Sequence, residues 1–198
     1  DNFIGVGLSF DSTKVKTYST SPQRYVAFVN KFGSSNTTLR RNTTWANDQR
    51  DSVIYTTKGT VQRAYGEVGL PGGDLKFYKL NYQHQKFFPL TKDITLMLNG
   101  EYGFGDGYGG EPLPFFRHFY AGGMGSVRGF KAGSLGPHDD PPNHKDALGG
   151  NKRLVANAEF LMPIPGIGLD KSFRFGGFVD AGYVWATSQK MRLSDLRY

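Results

Sequence analysis

Apolar and polar side chains alternate with a period of two through most of the chain. In residues 3–10, Ile4, Val6, Leu8 and Phe10 share one face and Gly5, Gly7 and Ser9 the other. In residues 94–104, one face carries Ile94, Leu96, Leu98, Gly100, Tyr102 and Phe104, and the other Thr95, Met97, Asn99, Glu101 and Gly103. Residues 154–162 set Leu154, Ala156, Ala158, Phe160 and Met162 against Val155, Asn157 and Glu159. Residues 174–185 set Phe175, Gly177, Val179, Ala181, Tyr183 and Trp185 against Arg174, Gly176, Phe178, Asp180 and Gly182. Residues 38–47, 60–70 and 77–88 alternate more weakly, with His84 interrupting the apolar face of the last. This periodicity predicts strands. There are about seven, each long enough to cross a bilayer at a tilt.

The connections between these strands alternate in length. Residues 91–93 and the region 163–172 are short; residues 11–37, 105–153 and those after Thr187 are long. Pro71-Gly72-Gly73-Asp74 reads as a turn on the long-loop side. Such alternation is the layout of an outer-membrane barrel, with tight turns at one rim and long loops at the other. The apolar faces are small aliphatics with aromatics towards the ends (Tyr183 and Trp185, Tyr102 and Phe104), which suits an aromatic girdle. Lys79, Asn81, Asn99, Glu101, Asn157, Glu159 and Asp180 on the opposite faces would be expensive in a dry core. They suit a hydrated lumen or the solvent face of a soluble sheet, but no second apolar layer exists to cover the greasy faces. The predicted fold class is an all-β, antiparallel transmembrane β-barrel.

One segment has helical spacing. Ser21 is a suitable N-cap, Pro22 suits the first helical position, and Tyr25, Phe28, Val29 and Phe32 follow at i, i+3, i+4 and i+7 before Gly33. This predicts a loop helix over about residues 22–32. Packing against neighbouring loops is its simplest use; a contact with the membrane interface, or a lid over the barrel, is the alternative.

Composition narrows the chemistry. With 27 glycines and 15 % aromatic residues, the chain favours strands and turns over helical cores. The net charge of +7 is spread without a basic run, which argues against nucleic acid as a partner. The absence of cysteine excludes disulfides and thiolate metal or redox sites. No apolar stretch is long enough for a membrane-spanning helix. The glycine-rich segment 103–110 does not fit a dinucleotide-binding loop, because it leads from a strand into a loop. His138, Asp139, Asp140, His144 and Asp146 carry donors for a divalent ion, but two prolines and no regular framework favour a solvated loop. No motif places a catalytic triad. The expectation is a non-enzyme with no catalytic residues, no metal and no cofactor.

Arg128 lies in "GGMGSVRGFKAGSLGP", residues 122–137, among six glycines. A half-buried arginine needs a carboxylate. Glu159 and Asp180 are candidates on two strands read as adjacent, about 4.8 Å apart. Both could meet one guanidinium if the glycines let the loop fold back onto the wall. The other reading is an ordinary solvated loop charge.

The segments "FYAGG" (119–123), "VRGF" (127–130), "LGP" (135–137), "GGN" (149–151), "NAEFLMPIP" (157–165) and "FVDAGYVW" (178–185) occur in an order that resembles the insertase family of the bacterial β-barrel assembly machinery. "YGFGDGYGGEPLPF" (102–115) is similar to that family's strand entering the loop. The resemblance is specific over about residues 102–185 and faint before them. It implies a barrel of about sixteen strands, preceded by periplasmic POTRA domains, with the VRGF loop folded into the lumen. It further implies a lumen-loop latch of Val127, Arg128, Gly129, Phe130, Glu159 and Asp180, in which Arg128 pairs with Asp180 near Glu159. The implied function is nucleotide-independent insertion of other barrel proteins into the bacterial outer membrane. Its implied partners are unfolded outer-membrane barrel proteins as clients, accessory lipoproteins held through POTRA domains, and outer-membrane lipids.

The resemblance would make residues 1–198 one partial barrel domain with a lumen loop over about 105–153, lacking the POTRA domains and the last strands. By position its strands would be the seventh to thirteenth. One departure is "VIYTTKG" (53–59), where the family more often has a proline in the turn. The runner-up function is a two-partner-type secretion channel, which shares the VRGF-type loop but not the surrounding "FYAGG", "LGP" and "GGN".

Overall fold

The computed structural model describes residues 1–139, 146–164 and 174–198. The alternating segments form seven strands among these residues: β1 Asn2–Lys14, β2 Ser35–Asp48, β3 Gly59–Gly69, β4 Phe77–Pro89, β5 Thr95–Gly107, β6 Lys152–Pro163 and β7 Arg174–Trp185. They make one sheet in sequence order, each strand antiparallel to the next. The sheet is open, with β1 and β7 at its edges. No helix of the described residues is long and apolar enough to cross a membrane.

The sheet has two unlike faces. One is bare: Ile4, Val6, Leu8 and Phe10 of β1 are each more than 60 % exposed, and Leu80, Leu98, Phe160, Phe175 and Val179 continue this apolar surface. The other carries Glu67, Lys79, Asn99, Glu101, Asn157, Glu159 and Asp180, and the chain's own loops cover part of it, leaving Phe178 half exposed. The connection between β5 and β6 supplies most of that cover. Its entry includes a 3₁₀ turn at Phe115–Arg117.

The register also slopes. Following paired residues from Val6 through Thr43, Gly66, Leu80, Phe104 and Lys152 ends on Trp185. The exposed apolar run on β7 is centred near Val179 instead, six residues back along the strand. Over six strand-to-strand steps the apolar band therefore slides about one residue per strand. At about 3.3 Å per residue and 4.8 Å per strand, this is a tilt of about 35°, the value that closed barrels need.

The helix α1, Gln23–Phe32, begins one residue later than expected. Pro22 is its N-cap and makes no side-chain capping bond, while the Ser21 hydroxyl accepts from the Tyr18 amide outside the helix. The helix packs on neighbouring loops. Phe28 is buried with Leu75, Phe77 and Leu113, against Phe32, Phe115 and Phe116. The Tyr25 ring stacks on Phe115 at 4.0 Å.

Two further expectations change, and a third is not tested. Trp185 is not at an exposed girdle: it is 1 % exposed, because the chain after β7 folds over it and its Nε1 donates to Asp195 at 2.8 Å. The alternation of loop lengths is uneven, since 70–76 on the long-loop side is shorter than 49–58 on the other. The short connection expected near 163–172 lies mostly outside the described residues.

Candidate functional site: a loop seated on the sheet

The β5–β6 connection leaves the sheet at Gly107 and returns at Lys152. Phe119 bridges to Gly150 and Ala121 to Leu135, which closes a small lobe with Val127–Phe130 at its tip. Val127 is fully buried in a cluster with Ala121, Leu135, Val155 and Val184, and Phe130 packs against that cluster. Gly182 of β7 makes the seat possible. A Cβ there would stand 2.7 Å from Val127 Cγ2, closer than packed carbons tolerate. Gly129, at φ 87°, turns the chain after Arg128.

The side chain of Arg128 points at β6 and β7. Its Nε donates to Asp180 Oδ2 at 2.7 Å, its Nη2 to Asp180 Oδ1 at 2.8 Å, and its Nη1 to Glu159 Oε1 at 3.0 Å. Its backbone N–H donates to Asp180 Oδ2 at 2.9 Å. Asn157 Nδ2 donates to Asp180 Oδ1 at 2.9 Å and to the Ser126 carbonyl at 2.8 Å. The Asp180 carboxylate, 1 % exposed, thus has both oxygens doubly occupied. Below the guanidinium lies the Phe178 ring, 3.6 Å from Arg128 Cζ to its centroid. The polar chain continues across the sheet from Asn157 to Asn99 (2.8 Å) and from Asn99 to Gln83 (2.8 Å).

All six residues that the sequence singled out, Val127, Arg128, Gly129, Phe130, Glu159 and Asp180, meet at this one place. Phe178, Asn157, Ser126 and Gly182 belong to it as well, and the sequence reading did not assign them a role. The signal for Phe178 was its parity: it stands two residues from Asp180 and so on the same face. Asn157 is the cross-strand partner of Asp180, which needs the register and not the sequence alone.

A second contact fastens the loop at its entry. The buried Phe119 ring lies over Gly103, where a Cβ would come within 2.7 Å of Cε1. Lys79 Nζ sits 4.1 Å from the ring centroid and Arg153 Cζ 5.6 Å. Arg153 Nη2 is held in turn by Glu101 (2.6 Å) and Asn81 (3.1 Å). Nearby, Arg117 Nη2 donates to Asp11 at 3.1 Å; Asp11 also accepts from Arg40, which reaches Glu67 at 2.6 Å. His118 packs here with Nδ1 2.9 Å from the Leu148 carbonyl. Burial, reinforced by the Arg24 and Lys79 charges and only partly offset by that bond, holds its pKa below the usual 6.5.

Of the histidines and carboxylates in segment 138–146, His138, Asp139 and Asp146 are among the described residues, and no group of three His, Asp or Glu side chains that could hold an ion occurs among the described residues. His138 Nδ1 instead lies 2.9 Å from the Gly136 carbonyl. Asp140 and His144 lie outside the described residues.

An antiparallel meander with a bare apolar face, a charged opposite face and its own long loop latched onto that charged face is the wall of a transmembrane β-barrel. The chain belongs to the Omp85 superfamily, whose domain it matches over residues 2–196. It is 38 % identical over 192 residues to the outer membrane protein assembly factor BamA of Neisseria meningitidis, covering 92 % of this chain and 24 % of that protein. It is 31 % identical over 140 residues to the mouse sorting and assembly machinery component 50 homolog, covering 68 % of this chain and 29 % of that protein. In shape it matches the crystal structure of BamA from Haemophilus ducreyi lacking POTRA domains 1–3, with a TM-score of 0.82 at 25 % identity, over 94 % of this chain and 39 % of that one. The chain thus spans less than half of each of these proteins.

Proposed function

We propose that this chain forms part of the wall of an assembly barrel, which folds and inserts other barrel proteins into the bacterial outer membrane and is not an enzyme. The observation that carries the reading is the 38 % identity, over 92 % of the chain, to a protein named as an outer membrane protein assembly factor. The mouse relative is also named for sorting and assembly. In this reading the bare face meets lipid and the loop-covered face lines the lumen. The residues from Val127 to Phe130, with Glu159 and Asp180, latch the loop inside. Its partners are unfolded barrel proteins as clients, accessory lipoproteins bound through POTRA domains, and membrane lipids. A guanidinium shared by two carboxylates and stacked on an aromatic ring supports a latch, since it fixes position and activates no nucleophile.

The test uses the full-length protein in vesicles with an unfolded barrel protein as client and no nucleotide. Heat-modifiable gel migration of the client reports folding. The expected result is folding several times faster than in empty vesicles, with most of the gain lost in Arg128→Ala. No acceleration, accompanied by a steady salt-dependent conductance, would replace this reading with the secretion channel.

A further inference from the structure

We propose that Arg41 is the headgroup contact of a lipid-binding site on the bare face of the sheet, taking an anionic phosphate headgroup from the leaflet at the long-loop rim. The proposal rests on the barrel reading above and adds a site to it.

Arg41 is paired in register with Leu8 and Val68, so its side chain leaves the sheet on the bare face. It is exposed, and Leu8 beside it is 69 % exposed. Arg40, Arg50, Arg117, Arg128 and Arg153 each lie within 4.0 Å of a carboxylate. Among the described residues Arg41 has no such partner. Its neighbours on that face are Leu39, Thr43, Leu8 and Val68, none of them acidic.

Depth without a partner is what makes this unusual. With the band centre sliding one residue per strand from Val6 to Val179, Lys86 of β4 falls three residues from it towards the short-turn rim and Lys152 of β6 five towards the long-loop rim. Both are engaged: Lys86 Nζ lies 4.9 Å from the Phe88 ring centroid, and Lys152 Nζ donates to the Thr187 and Gln189 carbonyls. Arg41 falls three residues from the centre, on the long-loop side. It is therefore about 8 Å from the mid-plane along the membrane normal. A cation at that depth needs a partner or must snorkel. His84, a bare-face residue nearer the mid-plane, has neighbours in the sheet. Its Nδ1 is 3.5 Å from the Tyr82 hydroxyl, which donates to Gln62 at 3.0 Å. Arg41 has lipid alone.

The surface beside Arg41 is shaped to admit one. Arg41, Thr43, Gly66 and Val68 border a shallow hollow of about 240 Å³, opened by the missing side chain at Gly66. The side chains of Glu67 and Lys79, which also border it, are engaged on the other face by Arg40 and Phe119. An extended arginine reaches roughly 6 Å from its backbone towards the headgroups. It would hold a phosphate there while the hollow takes the first part of an acyl chain.

The experiment places the full-length protein in phosphatidylcholine nanodiscs containing a minority of phosphatidylglycerol. Native mass spectrometry then counts the lipids retained after detergent release. Wild type should keep phosphatidylglycerol preferentially, Arg41→Lys should keep most of the preference, and Lys152→Leu should leave it unchanged. Arg41→Leu should lower retention about fivefold, the worth of one basic residue at an anionic surface. Equal retention by Arg41→Leu and wild type would overturn the site. So would displacement of the lipid by soluble glycerol phosphate, which would mean a phosphate ion site without a lipid. Failure of the wild-type protein to enter the bilayer would instead sink the barrel reading itself.

Discussion

Four hydrogen bonds converge on the Asp180 carboxylate, three of them from Arg128. Deleting the arginine leaves that charge almost fully covered with only Asn157 and one backbone amide to hold it. Breaking a buried pair from one side costs about 3–5 kcal/mol, and lumen water should reduce that. Arg128→Ala should therefore release the loop, read as faster proteolysis within 122–137 at unchanged strand content. Glu159→Gln should do far less, because Glu159 is 24 % exposed and makes one of the bonds. Arg128→Lys should fall between them, since an ammonium cannot span both carboxylates and lie flat on Phe178. The apolar half of the seat has its own test. Gly182→Ala should unseat Val127, and Val127→Ala added to it should restore the protease resistance. If the pair is no better than Gly182→Ala alone, the contact is not what fixes the tip. At this scale the sequence made the arginine and both carboxylates legible, because strand parity put Glu159 and Asp180 on one face. It could not reveal Asn157 or Gly182 as members of the seat, because those roles depend on which residue lies across the strand.

The loop, taken as an element, is held at two places along its length. The Phe119 clamp lies at the entry and the Arg128 seat at the tip, and they share no residue. Phe119→Ala should leave the tip seated while exposing the entry, so cleavage should rise near residues 108–119 and not near 128. Uniform cleavage would show that the loop is released as one piece. The entry also carries a pH dependence. With the folded pKa of His118 below its usual 6.5, the folded state favours the neutral ring. Its contribution is fully present above about pH 6.5 and is lost as pH falls through that value towards the folded pKa. The protection of the amides around 113–119, measured against their intrinsic exchange rates, should fall on acidification over that range, and His118→Gln should flatten the profile. The strands themselves were legible from period-two alternation, and α1 from its 3.6 spacing. Two element ends were not. The helix starts after Pro22 because Ser21 spends its hydroxyl on the Tyr18 amide. Trp185 is covered by chain that follows it, and no pattern within β7 announces that cover.

Across the whole sheet, the hydrogen-bonded rows and the apolar band are not parallel, and this obliquity is a statement about depth. Val6, Leu80 and Phe104 share one row. If the strands tilt by about 35°, Val6 is near mid-bilayer, Leu80 is nearer the long-loop rim, and Phe104 is nearer still, with Lys152 beyond it. An arginine introduced on the lipid face of a barrel costs about 2–4 kcal/mol at the mid-plane and 0–1 near an interface. The penalty for Val6→Arg, Leu80→Arg and Phe104→Arg should therefore fall in that order along a single row. Val179→Arg, six residues from that row on β7, should match Val6→Arg. Denaturant unfolding of the full-length protein in lipid vesicles measures each penalty. Equal losses along the row would mean level strands, and a sheet of level strands could not close into a barrel. The same gradient fixes the depth of Arg41, so a flat result would also remove the reason to seek a lipid there.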